Sequence, residues 1–218
     1  VQAVDFTTAL LLSRELAATV VPARIENAYQ LDGQNLALGL RTLEGGAWLA
    51  ISWHAGAARI HAGEPPPREK EQMSYTFSQQ LRAVAKSLNV LAVRLAGSFE
   101  RVVVLDLAPR ITDAPTHRLY VEIMASRSNV ILTQVDDPGS GTFNSGGISS
   151  STGGSCQETV VACAYQVSPN KSVRPLSTGQ PYALPPTQAA RVPVRGEPLE
   201  VFRELVGRVP TQALKKAL

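Results

Sequence analysis

Motifs that carry chemistry are scarce in this sequence. Two cysteines, Cys156 and Cys163, are too few in 218 residues for a disulfide framework, and they lack metal-ligand spacing. The three histidines, His54, His61 and His117, lack it too, so no zinc site is expected. No apolar run approaches the ~18 residues that a membrane-spanning helix needs. There is no Walker sequence, no Gly-rich fingerprint between strand and helix, and no Gly-x-Ser-x-Gly elbow. The expectation is a protein that binds rather than catalyses, without cofactor, metal or membrane.

What is present is a core-forming composition with an uneven charge. Hydrophobic residues make up 44% of the chain, enough for a sizeable core. The net charge is only +3, but from Ala164 onward eight Lys/Arg face three Glu. A basic end suits a polyanion such as nucleic acid; a solvated basic face is the other reading. Arg outnumbers Lys sixteen to five, and Arg grips phosphate with two parallel N–H groups. The chain starts at Val1 and ends inside a helical pattern, so it reads as a piece of something longer.

The hydrophobic pattern predicts an α+β fold. Asp5 can cap a helix whose apolar positions run from Phe6 to Val20, and Pro22 stops it. Short strands follow at 25–31, 34–42, 47–53 and 58–62, with Leu36, Leu38 and Leu40 on one face. A second helix is predicted over 76–88, burying Phe77, Leu81, Val84, Ala85 and Leu88. Further strands are predicted at 90–96, 101–107, 118–124, 129–135 and 160–167. Between the last two, residues 138–155 are Gly/Ser-rich and too poor in apolar groups to offset ordering entropy, so a disordered insertion in a hairpin is expected. Pro198–Val206, Gly207 and Pro210 outline a helix-hairpin-helix over 197–218, cut short; an ordinary helical hairpin fits as well.

In order along the chain stand VDFTTALLLSREL, LRTLEGGAWLAISWHAGAARIH, FSQQLRAVAKSLNV, SFERVVVLDL, LYVEIMASRSNVIL and AYQVSPNKSVRPLSTGQPYALPP. This series resembles the amino-terminal domain of the NFACT family, the fibronectin-binding-protein-A-like ribosome quality-control factors. The likeness covers a domain at 1–186, with 197–218 as the start of the family's helix-hairpin-helix region. It implies a β-sandwich with flanking helices, similar to the amino-terminal domain of formamidopyrimidine-DNA glycosylases. The glycosylase nucleophile, an amino-terminal Pro followed by Glu, has no counterpart in Val1-Gln2-Ala3-Val4-Asp5.

The resemblance also implies a function. Such factors bind large ribosomal subunits blocked by peptidyl-tRNA, contacting rRNA, and recruit charged tRNA for template-free tailing, with alanine in the bacterial type. The implied compartment is the cytoplasm, or a plastid stroma in a photosynthetic eukaryote. The alternatives are a fibronectin-binding adhesin and a glycosylase-like DNA-binding domain.

Site residues carry over by position. The family's Asp-Arg pair reads Glu100-Arg101, one methylene longer in the acid. A carboxylate beside Arg can aim the guanidinium at a phosphate or ribose hydroxyl; a strand-entry ion pair is the plainer role. Asp5 matches a family acidic residue and doubles as a helix cap. Ser126-Arg127-Ser128-Asn129 matches a family turn of the form Gly-basic-x-Ser-Asn, in which Arg127 can project to RNA and Asn129 can satisfy the turn or take φ > 0. Arg82, Lys86 and Arg174 are assigned phosphate contact from charge and placement. Trp48 and Trp53 fall on opposite strand faces by parity, one for the core and one free to stack on a base.

Overall fold

The structure, a computed structural model, describes residues 3–67, 75–97, 99–136, 157–168, 170, 172 and 174–186. The Gly/Ser insertion at 138–155 and the helix-hairpin-helix expected at 197–218 lie outside the described residues. The chain divides into two compact units, Val1–Leu184 and Pro185–Leu218. All the described helices and strands belong to the first.

Helix α1, Phe6–Val20, starts where Asp5 accepts a hydrogen bond from the Thr8 N–H at 2.8 Å. It ends before Pro22, with Val21 already extended. Ala9, Ser13, Leu16 and Val20 recur at helical spacing on its buried face. Then come β1 (Ala23–Gln30), β2 (Asn35–Thr42), β3 (Gly46–Ser52), β4 (Arg59–Gly63), α2 (Thr76–Ala85), β5 (Asn89–Leu95), β6 (Val102–Ala108), β7 (His117–Glu122), β8 (Asn129–Val135) and β9 (Glu158–Cys163). Helix α2 stops a turn earlier than the sequence pattern predicts. Ser87 takes φ 75° and donates its N–H to the Ile25 carbonyl, which draws the chain into β5.

All nine described strands form one antiparallel sheet, ordered β4-β3-β2-β1-β5-β6-β7-β8-β9. The α+β class therefore holds. The strands form one continuous hydrogen-bonded order that narrows in the middle. There β1 and β5 share only Ala23↔Val90 and Arg24↔Asn89, next to bulges in both strands. Bulges bend strands and raise twist, and one core cluster takes side chains from both halves of the sheet and from both helices.

Strand β6 is buried at every position because both its faces are covered. Val103, Leu105 and Leu107 join the large core, while Val102 and Val104 join a second cluster with Tyr120, Ile131, Val160, Cys163 and Leu176. This accounts for its apolar run, interrupted only by Asp106. The arm after β9 lies over that second cluster. Val167 and Leu176 exchange backbone hydrogen bonds, and Val160 and Tyr182 donate to Gln180 and Glu158 carbonyls.

Candidate nucleic-acid interface

The sheet ends create the site. Antiparallel order puts the end of β5, the start of β6, the end of β7, the start of β8 and the end of β9 on one side. The β5–β6 hairpin closes with Ala96 N–H donating to the Val102 carbonyl, and its loop carries Phe99, Glu100 and Arg101. Phe99 sits at φ 61°, a left-handed conformation that costs a side-chain-bearing residue about 1–2 kcal/mol.

This loop meets the start of α1. The Phe99 and Phe6 rings lie 4.8 Å apart at 30°, and an Arg101 Nη1 reaches the Val4 carbonyl at 3.4 Å. Arg101 also holds the neighbouring strand end, its carbonyl accepting the Ile123 N–H at 3.0 Å. Hydrogen bonding from Thr8 lowers the Asp5 carboxyl pKa, with the charge of Arg101 adding in the same direction. Asp5, some 95 residues earlier in the sequence, thus shares a neighbourhood with the Arg101 loop. Glu100 and Arg101 are both partly exposed, and among the described residues neither forms an ion pair. Their charges remain available to a ligand.

The β7–β8 connection at the same end is a 3-10 turn, Ala125–Arg127, and Arg127 is exposed on it. Ser128 ties the turn by donating to the Ala125 carbonyl and accepting from the Met124 N–H. The positive φ falls on Ala125, at 49°, rather than on Asn129. Asn129 is buried and its amide is engaged inside the fold. Its oxygen accepts from the Val130 and Tyr165 N–H groups, and its Nδ2 donates to the Tyr165 carbonyl.

The other three cations are placed elsewhere. Arg82 is half-buried and Lys86 exposed, on and just after α2, which packs on β1 and β9. No described hydrogen bond or ion pair joins them to the Glu100–Arg101 loop. Arg174 donates to both carboxylate oxygens of Glu122 and, through Nε, to the Ala183 carbonyl; it lies over the Tyr182 ring. Its donors are directed into the fold, where it pins the arm to β7. Trp53 is buried against Phe77, and Trp48 is half-buried, its ring 5.9 Å from Tyr29 and packed over Gly39.

The sequence pattern gave no notice of a polar row across β5–β9. Asp106 accepts from Arg94 and Arg118, and Glu158 accepts from Arg118, Tyr120 and Thr133. Burial opposes the Arg118 charge, yet the two carboxylates more than offset it and raise its pKa. Burial, reinforced by Glu158, likewise raises that of Tyr120. The row borders an open polar pocket of about 430 Å³, which Tyr182 and Leu184 also line. Asp106 inside an apolar strand was the available signal; its two arginine partners lie 12 positions away, Glu158 lies 40 beyond Arg118, and none carries a local mark. Among the described residues no group of His, Cys, Asp or Glu is placed to hold a metal ion.

The chain belongs to the NFACT family: residues 5–138 match the family described as NFACT N-terminal and middle domains. The Rqc2 homolog RqcH of Bacillus subtilis is 23% identical over 205 residues, covering 89% of this chain and 31% of that protein. This chain therefore spans about a third of that relative's length. The crystal structure of the N-terminal domain of fibronectin-binding protein PavA from Streptococcus pneumoniae superposes with a TM-score of 0.69, at 22% identity, over 97% of this chain and 74% of that one. The N-terminal part of the fibronectin/fibrinogen-binding protein from Streptococcus suis gives the same TM-score and identity, over 97% and 71%. Among the described residues no helix is long and apolar enough to cross a membrane.

Proposed function

We propose that this domain is the tRNA-binding part of a ribosome quality-control factor. The observation that carries the reading is the Glu100–Arg101 couple, without an ion pair among the described residues, partly exposed at the sheet end, with Asp5 near Arg101. Arg101 is anchored on one side by the Val4 carbonyl, which leaves further guanidinium N–H groups for a phosphate. Glu100, as an acceptor, suits a ribose 2′-hydroxyl, the group that tells RNA from DNA. Arg127 extends the same edge.

In this reading the whole factor binds an obstructed large ribosomal subunit through rRNA and peptidyl-tRNA. It brings in charged tRNA, alanyl in the bacterial manner, for template-free tailing. The domain is not an enzyme; the ribosome performs peptide transfer, and this chain positions the adaptor. It works where ribosomes are, in the cytoplasm or a plastid stroma. We extend the proposal to its architecture, a glycosylase-type layering of the bent sheet followed by a helix-hairpin-helix. The family match and the RqcH relative support the reading. The names of the streptococcal structures favour a second one, fibronectin binding. Titrating tRNA and fibronectin separately against wild type and Arg101→Ala decides between them.

A further inference from the structure

Among the described Phe, Tyr and Trp side chains, two are exposed: Phe99, 46% exposed, and Tyr165, 60% exposed. Both stand at the sheet end that carries Arg101 and Arg127. Phe99 is in the β5–β6 loop. Tyr165 follows β9, and its backbone N–H and carbonyl are clamped by Asn129 at the start of β8. Neither position is an accident of a loose surface. One face of Phe99 is backed by Phe6, at the cost of a left-handed backbone. Tyr165 is fixed by the buried amide of Asn129, which is otherwise a puzzling use of a turn residue.

The strands set the spacing. From β6, beside Phe99, to β9, before Tyr165, are three interstrand steps, or about 14 Å. Between them stand Arg101, before β6, and Arg127, in the β7–β8 turn. Two rings flanking two guanidinium groups along one edge suit unpaired nucleic acid. Bases stack on the rings, which any base can do, and the cations follow the phosphates.

We propose that this edge is a track for an unpaired RNA segment, with bases stacked on Phe99 and Tyr165 and phosphates on Arg101 and Arg127. The proposal rests on the tRNA-binding reading and refines it: the part of the RNA that the domain holds is single-stranded. Duplex RNA, with its bases already stacked, does not engage the rings.

The test uses the whole chain and two probes, intact tRNA and a single-stranded RNA hexamer carrying 2-aminopurine. Phe99→Ala and Tyr165→Ala are each expected to weaken hexamer binding by roughly tenfold and to lessen 2-aminopurine quenching, without changing the salt dependence. Phe99→Tyr and Tyr165→Phe keep a ring and are expected to bind as wild type. Arg127→Ala is expected to reduce the salt slope by about one. Tyr165 is well exposed, so its variants report on RNA even where Phe99→Ala disturbs folding through Phe6. Affinity unchanged by losing either ring, or equal loss with the ring-keeping variants, overturns the stacking track. If Arg101→Ala still lowers tRNA affinity in that case, the broader reading survives it. If wild type binds neither probe, both fall together.

Discussion

Arg174 holds Glu122 in a two-bond fork, Nη1 at 2.9 Å and Nη2 at 2.5 Å, across 52 residues of sequence. Glu122 is 1% exposed, and the Tyr182 hydroxyl also donates to it. Burial opposes the Arg174 charge, but the Glu122 bonds prevail and raise its pKa. Removing the arginine strands a buried carboxylate, which typically costs about 3–5 kcal/mol. Arg174→Ala should therefore lower the urea midpoint strongly, and Arg174→Lys should restore only part of the loss, because an ammonium cannot form the fork. A midpoint unchanged in Arg174→Ala would mean that the fork does not pin the arm.

Ala125 is predicted to be a site of easy stabilisation. It holds φ 49° at the start of the β7–β8 turn, where glycine carries no side-chain penalty. Ala125→Gly should stabilise the protein by about 1 kcal/mol, the left-handed cost outweighing the added freedom of the unfolded chain. A thermal melt checks this; a lower midpoint would show that the turn is not strained.

Asp5 gives a pH-dependent contribution. Its folded pKa lies below the ordinary 3.8, so its stabilisation is present above that value and is lost as pH falls through the lowered folded value. Asn caps helices about as well as Asp. Asp5→Asn should thus leave neutral-pH stability nearly intact and remove this component from the acid limb. Identical acid limbs in the two proteins would remove Asp5 from the account.

Local structure was legible in the sequence, and long-range pairing was not. Asp5 and Pro22 mark the ends of α1 because capping and the missing proline N–H act within a few residues. Leu36, Leu38 and Leu40 alternate into the core as strand geometry requires, and each is buried. Arg174 shows the limit. Its exposed-looking, basic, Pro-rich setting suggests a phosphate contact, yet its partner is a glutamate on a distant strand. The order of the strands in the sheet was hidden for the same reason, since strand patterns say which face is buried but not which strand lies alongside. Asn129 falls between: its turn chemistry is local, but the backbone it serves at Tyr165 is 36 residues away. The Glu100–Arg101 site came from order-preserving resemblance; the structure adds that Asp5 stands beside it.

The most direct measurement is the affinity of the whole chain for tRNA, titrated at two salt concentrations for wild type and Arg101→Ala. The account predicts tight, salt-sensitive binding by wild type. It predicts a loss of severalfold in the variant, with a salt slope smaller by about one phosphate contact. Equal affinity and equal slope in the two proteins would contradict it.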